Sequence, residues 1–460
     1  MTQGHPGVRR VAVVGGGWAG LAAAVAATRQ GCHVTVYEAS RHWGGRARRL
    51  TLPLPSGLHL AGTGTDGTLT LDNGQHILIG AYTATLDLMT QIGVEPAQML
   101  RTMPLALPFP DGSGLACPAW ARHWPAPLDT LAAVASARGW AWHDRLAFVS
   151  AAARWRLRGF DCDPSLTVQA LCADLPPRVM DDLIEPLCVA ALNTPADRAS
   201  AQVFLRVLRD AMLGQGHAPW RGADLLLPRR DLGALFPAAA AQWLARRGAH
   251  LHPGCRASAL HPAAGGTWQV ATQAPAEPET FDDVILACPP KTAAGWLRNL
   301  PADRQTSTLR AWCDAALSLQ HECIGTVYAW APGGPPPWPH PMLALRGAPA
   351  QFVFDRGQLD GPAGLLAFVA SAWSGPVQTL EDEVRQQARD QLGMDSLDMV
   401  GTVVEKQATF ACTPGLRRPG MQPAHRLWAV GDAIDGPYPA TLEGAVRSAL
   451  NAVAALTAAG

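Results

Sequence analysis

The stretch 11-VAVVGGGWAGLAAAVAATRQ-30, continued by 33-HVTVYEAS-40, decides the fold. Val11–Val14 is a short apolar run of the kind buried in a parallel sheet, and an Ala-rich helical run follows the glycines to about Gln30. Gly15, Gly17 and Gly20 occupy the G-x-G-x-x-G positions, between a strand and a helix, with an acid, Glu38, at the end of the next strand. Each glycine has a task there. Gly15 permits the tight turn, Gly17 lets a pyrophosphate reach the backbone, and Gly20 allows the helix to pack closely on the strand. The helix N-terminus adds the positive end of its dipole for phosphate, and Glu38 can accept hydrogen bonds from an adenosine ribose. The pattern predicts a dinucleotide-binding βαβ unit.

Beyond Glu38 comes 41-RHWGGRARR-49, so that Glu38 and Gly44-Gly45-Arg46 form E-x5-GGR. Near the other end, 425-HRLWAVGDAIDGPYPATLEGAVRSALNAVAAL-456 reads as a strand over Leu427–Val430, then Gly431-Asp432, then a helix after Pro439. That helix has one apolar stripe through 442, 445, 446, 449, 450, 453 and 454, with Thr441 as a candidate N-cap and Glu443 in its first turn. Together these motifs resemble the amine oxidase and phytoene desaturase superfamily of FAD proteins. The resemblance implies that Arg46 lies against the FAD pyrophosphate, suited by its forked guanidinium, and that Asp432 meets the ribityl-phosphate part. It also implies that Thr441 and Leu442 open a helix aimed at the pyrimidine edge of the flavin. Two middle segments, 248-GAHLHPGCRASAL-260 and 281-FDDVILACPP-290, resemble the strand beside the adenine and a strand ending in a Pro-Pro turn.

Three further segments narrow the resemblance: 71-LDNGQHILIGAY-82, 183-LIEPLCVAALNTPADRASAQVFLRVLRDA-211 and 224-DLLLPRRDLGALFPAAAAQWLARRG-248. With the Y-P-A-T-L-E-G-A-V-R-S ending they are similar to the squalene-associated FAD-dependent desaturase family, from about residue 8 to 455. Its described activity is dehydroxylation of hydroxysqualene in hopanoid-type triterpene synthesis. Competing expectations are a phytoene-type desaturase or isomerase, an amine oxidase, and a non-catalytic prenyl-lipid carrier on the same fold. The amine oxidase reading is weakened because 318-SLQHECIGTVYAW-330, the strand where such enzymes place a Lys near the flavin, has none. An aromatic cage also looks thin, with Tyr438 the only Tyr in the C-terminal neighbourhood.

The resemblance places Asn73, Gly74, Gln75 and His76 beside the isoalloxazine. Removing an allylic hydroxyl as water calls for a proton at the oxygen and hydride at the carbon, in a site that excludes bulk water. His76 is the leading candidate for donating the proton or orienting the hydroxyl, against the plainer alternative of a core histidine. Asp72 and Glu443 follow. The expected substrate is a long isoprenoid in an apolar cavity. The electron donor is left open among NAD(P)H, a reductase and a quinol.

The 460 residues carry 37 basic and 37 acidic side chains, which argues against nucleic acid as a partner. The ten cysteines show no C-x-x-C spacing, so no metal site is expected and a reducing, cytoplasmic setting is the economical reading. Arg9-Arg10 superficially resembles an export signal, but the apolar run behind it is interrupted by the nucleotide-loop glycines. Of sixteen Trp, five fall at 120, 124, 140, 142 and 155, in a stretch (116–160) also rich in Arg. Two readings stand: an interfacial helix, with the protein peripheral on the inner face of the cell membrane, or a core helix with a solvated basic face.

The expected fold is α/β, a Rossmann-like FAD-binding domain with an interleaved α+β substrate domain. The FAD-binding pieces are 1–110, 223–300 and 405–460. The substrate pieces are 111–222, mainly helical, and 301–404, mainly sheet.

Overall fold

Val11 to Val14 alternate between two covered faces: Val11 and Val13 pack in one apolar cluster, Ala12 and Val14 in another. A strand apolar on both faces belongs inside a parallel sheet, and that is its position. The computed structural model describes residues 7–55, 58, 60, 67–124, 128–273 and 279–458, apart from the side chains of 211 and 212. Pro125, Ala126 and Pro127 of the Trp/Arg-rich stretch, and residues 1–6 and 459–460 of the outer nucleotide pieces, lie outside them.

The five-stranded parallel sheet runs His250–Pro253, His33–Glu38, Arg10–Val14, Asp283–Leu286, Leu427–Ala429 across its width. Strands that are remote in sequence therefore converge on one sheet, and the order reverses beside Arg10–Val14. In open α/β sheets the ligand crevice lies at the carboxyl ends of the strands at such a reversal. Helix Trp18–Arg29 covers one face together with helix Leu442–Ala458. Helices Pro290–Arg298 and Ser307–Ser318 cover the other.

The second body is built on an antiparallel sheet of five strands, in the order Met342–Ala344, Phe352–Asp355, Leu365–Ser371, His321–Trp330, Asp398–Phe410. Val327, Ala329, Leu366 and Phe368 face helix Val377–Leu392. Tyr328, Ala367 and Val369 face a larger core shared with helices Trp142–Leu157, Glu185–Leu192 and Ala201–Leu213. A small sheet joins the two bodies: in strand Leu225–Pro228, Leu226 packs in the nucleotide core while Leu225 and Leu227 pack in the substrate core.

Two expected boundaries move. Helix Ser307–Ser318 buries Leu309, Trp312 and Ala316 in the cluster of Ala12 and Val14, so the nucleotide body continues past residue 300. Strand Asp398–Phe410 stays paired with His321–Trp330, across two shifts of register, as far as the His321–Phe410 pair, so a division at 404/405 would cut one strand. Among the described residues no helix is long and apolar enough to cross a membrane.

Candidate functional site

At the carboxyl end of Arg10–Val14 the chain turns at Gly15, whose φ of +116° L-residues rarely adopt. A Cβ there would lie 2.6 Å from the Ala287 carbonyl oxygen, and one on Gly20 would lie 1.8 Å from that of Gly15. These two glycines are demanded by the protein itself. Gly17 is not: with φ −77°, its Cβ would meet nothing nearer than Gly45 Cα at 3.7 Å. Its open face is what a phosphate approaching the helix N-terminus requires.

Glu38 helps to shape the loop. Its Oε2 accepts from the Gly16 amide at 2.6 Å and its Oε1 from the Ser40 amide at 2.7 Å. A carboxylate has further lone pairs on both oxygens, so these bonds leave acceptors for ribose hydroxyls. The Gly44 amide donates to the Gly16 carbonyl at 2.9 Å, which lays the Gly44-Gly45-Arg46 segment against the glycine turn. Asn73 then fixes this segment from the next hairpin. It accepts from the Arg48 amide at 3.1 Å and donates to the Arg46 carbonyl.

The Arg46 guanidinium forks onto both oxygens of Asp432 and donates at 3.0 Å to the Ala408 carbonyl of the substrate sheet. The adjacent carboxylate holds it still more firmly in the charged form. Gly431, with φ +147°, precedes this acid, and its amide donates to Ser448 Oγ at 2.8 Å. Thr441 Oγ1 accepts from the Gly444 amide at 3.0 Å at the start of helix Leu442–Ala458, whose first residue, Leu442, is half-buried.

Glu443 does something that sequence reading missed. Fully buried, it neither caps its own helix nor stands free. It accepts from the Ala84 and Thr85 amides, from Thr85 Oγ1 and from Arg447 Nε at 2.6–3.0 Å. It thus caps helix Thr83–Gln91, 358 residues away for Thr85, and its oxygens are committed to that work.

Gly74 is buried, and both Gln75 and His76 are half-buried beside it. Gln75 Oε1 accepts from the buried Arg356 at 3.0 Å, a cation that the motif reading did not single out. His76 Nδ1 lies 2.9 Å from the Gly74 carbonyl, which can only accept, so Nδ1 carries the hydrogen and Nε2 is an acceptor. Burial pushes this imidazole below its ordinary value, and the Arg46 charge adds to that. That direction favours the neutral ring at neutral pH, in which Nε2 can orient a hydroxyl. Asp72 behaves in the opposite way. Burial pushes its carboxyl up to about 7, although the Leu232 amide donates to it at 2.7 Å. Thr326, also buried, has a hydroxyl with no hydrogen-bond partner among the described residues, placed beside Gly74.

The aromatic pair absent from the sequence reading is Tyr82 with Tyr438. Their rings are 6.4 Å apart and cross at 75°, and the Arg447 guanidinium lies 5.1 Å from the Tyr438 ring centre. This is an edge-to-face pair with a resident cation, not a parallel cage open to an amine.

The fold and the loop geometry define an FAD-dependent oxidoreductase, and residues 18–457 match the model of the flavin-containing amine oxidoreductases. The chain belongs to that family. It is similar to the hydroxysqualene dehydroxylase of Rhodopseudomonas palustris, 28% identical over 468 residues, with 98% of this chain and 99% of that protein covered. The hydroxysqualene dehydroxylase of Sinorhizobium fredii is 26% identical, with 96% of each chain covered. Among solved structures, an oxidoreductase from Methanosarcina mazei superposes with a TM-score of 0.70 at 15% identity, covering 97% of this chain and 100% of its own.

Proposed function

We propose that this enzyme removes the hydroxyl of hydroxysqualene reductively, giving squalene, as a step of hopanoid-type triterpene synthesis. The observation that carries the reading is the similarity to two hydroxysqualene dehydroxylases along nearly the whole of both chains, substrate body included.

In this reading Gly15, Gly17, Gly20 and the helix behind them hold the FAD pyrophosphate, with Arg46 and Gly45 alongside. Glu38 takes the ribose, Gly431 and Asp432 the ribityl-phosphate part, and Thr441 and Leu442 the ring edge. Gly74 and Gln75 line the ring. The space above Gly17 and the forked Arg46–Asp432 pair fit a dinucleotide. When reduced, FAD supplies hydride. Overall an alcohol, a hydride and a proton give a C–H bond and water, the C–O bond being the one that breaks. His76 accepts the substrate hydroxyl's hydrogen through Nε2 and so positions the oxygen. Asp72, four residues before His76 and pushed up to about 7, still holds a proton in about half the molecules at neutral pH. The packed substrate core keeps bulk water from an electron-poor carbon.

The test is anaerobic incubation of the reduced enzyme with hydroxysqualene, followed by product analysis. Squalene formed with one flavin oxidised per turnover is the expected result. A more unsaturated hydrocarbon, produced only by oxidised enzyme, would move the assignment to a polyisoprenoid desaturase.

A further inference from the structure

Helix Trp142–Leu157 is apolar on two opposite sides. Asp144, Phe148, Ala151 and Trp155 face inward and are buried, with Phe148 and Trp155 in the substrate core. At 100° per residue, Trp142, Leu146, Val149, Ala153 and Leu157 fall within an arc of about 80° on the other side. Most of that stripe is exposed: Trp142 is 71%, Leu146 66% and Leu157 88% accessible and Ala153 is exposed too, whereas Val149 is half-buried against the core. A helix on a globular surface ordinarily turns polar residues outward, and single exposed apolar residues need no explanation. A whole stripe does.

The neighbourhood reinforces it. Helix Leu128–Ala135 packs against this helix and exposes Leu128 and Leu131, and the short turn Ala119–Ala121 beside it exposes Trp120. Trp120 and Trp124 meet edge to face with ring centres 5.0 Å apart. Arg145 ties this helix to the segment that follows helix Leu128–Ala135, donating to the Ala137 carbonyl at 2.9 Å, and its guanidinium lies 4.8 Å from the Trp142 ring centre.

Charge identifies the occupant. Between residues 119 and 158 the sequence has six Arg (122, 138, 145, 154, 156, 158) against two acids, in a chain whose overall charge is zero. Both acids are engaged inward: Asp129 with Arg221, and Asp144 with the Ala141 amide at its own helix start. Among the described residues, Arg156 and Arg158 pair with no carboxylate. Exposed Trp and Leu bordered by unpaired Arg match the chemistry of a bilayer interface carrying anionic headgroups.

We infer that the outward face of Trp142–Leu157, with Trp120, Trp124, Leu128 and Leu131, docks on an anionic lipid bilayer. The inference goes beyond the reaction assigned above, and lipid binding can be measured whatever the substrate proves to be.

The experiment is co-sedimentation of the flavin-loaded full chain with phosphatidylcholine vesicles, with and without 30 mol% phosphatidylglycerol, at about 0.1 M salt. Two triple variants accompany it: W142Q/L146Q/L157Q, and R154Q/R156Q/R158Q. The wild type is expected to partition at least tenfold better onto anionic vesicles. The apolar variant should lose at least tenfold on both kinds of vesicle, and the Arg variant should lose the preference for anionic ones. Both should keep wild-type flavin content and melting temperature, because the altered side chains lie outside the core. Equal partition of wild type and variants, or no binding to either vesicle, would overturn the proposal. So would a self-associated species in sedimentation velocity that the apolar variant abolishes, since a second copy would then cover the stripe.

Discussion

Arg46 and Asp432, 386 residues apart in the chain, form a forked ion pair that joins the Gly44-Gly45-Arg46 segment to the strand end at Leu427–Ala429. The pair ties the two ends of the sequence together beside the glycine turn. Arg46 remains 44% accessible at its side chain, so its worth to folding is modest while it can still meet a phosphate. Charge-assisted bonds to phosphate contribute about 1.5–3 kcal/mol, or about 10- to 150-fold in affinity. Arg46→Gln should weaken FAD binding by that order and change the melting temperature of the flavin-free protein by only a few degrees. Fluorescence titration with FAD measures the first effect; unchanged affinity would remove Arg46 from the cofactor site.

Gly17 and Gly20 separate binding from folding within one turn of chain. Gly20→Ala forces a Cβ to within 1.8 Å of the Gly15 carbonyl oxygen, both backbone-bound, so the strand–helix contact must open. The expected cost is about 3 kcal/mol or more, seen as insolubility or an early denaturation midpoint. Gly17→Ala meets only ordinary contacts and should fold like wild type, yet fail to retain FAD through gel filtration. Full flavin retention by Gly17→Ala would place the pyrophosphate elsewhere.

Glu443→Ala removes the cap of helix Thr83–Gln91 and leaves the Ala84 and Thr85 amides and the Arg447 guanidinium without their buried acceptor. Stranding buried donors and a cation costs about 3–5 kcal/mol. Glu443→Gln keeps one acceptor oxygen and should lose roughly half as much. Urea denaturation of the two variants gives the comparison, and equal stability of Glu443→Ala and wild type would refute the capping role.

What was legible in the sequence and what was not follows from distance. The turn Gly15–Gly20 and the acid Glu38 could be read because strand, turn and helix are consecutive, so sterics within a few residues dictate the types. The strand at Leu427–Ala429 could be read because Gly431-Asp432 and a helix follow it directly. Glu443 could not be assigned, since its partners lie about 360 residues away and a first-turn acid looks the same whichever helix it caps. Helix Trp142–Leu157 defeated periodicity for another reason. Both of its sides are apolar, so composition flagged the Trp cluster without showing that Trp155 is buried and Trp142 exposed. Strand Asp398–Phe410 is long and mixed in polarity, and only its pairing with His321–Trp330 reveals where it ends.

Asp72 sets a pH signature. Its folded carboxyl is pushed up from 3.8 to about 7 by burial, so folding favours its protonated form. Its contribution to stability is full below the unfolded value and is lost as pH rises through about 7. Asp72→Asn cannot ionise and keeps an acceptor oxygen for the Leu232 amide. It should match wild type below about pH 3.8, exceed it by about 1.6 kcal/mol near pH 5 and by up to about 4 kcal/mol near pH 8.5, at 1.36 kcal/mol per pH unit. Unfolding free energies at the two pH values measure this, and a gap that is constant with pH would show that Asp72 is ionised throughout.

In the proposed reaction His76 positions the hydroxyl, and its depressed pKa fixes the sign of the pH dependence expected of that role. As a neutral acceptor it works at and above pH 7, and protonation below its ordinary value of about 6.5 removes the Nε2 lone pair. Single-turnover oxidation of the pre-reduced enzyme by hydroxysqualene should therefore be level from pH 7 to 8.5 and fall on the acid side. Loss of the hydrogen bond in His76→Phe should slow the step by about 10- to 100-fold, for about 1.4–2.7 kcal/mol of lost orientation, and flatten the acid limb. His76→Gln, which restores an acceptor that cannot titrate, should recover part of the rate and keep the flat profile. Stability gives an independent reading. A neutral imidazole with a depressed pKa costs the wild type stability as pH falls below about 6.5, because the unfolded chain then binds the proton more readily. His76→Phe should lose that slope. If His76→Phe keeps both the wild-type rate and its acid limb, His76 is a core histidine and the hydroxyl is held by another group.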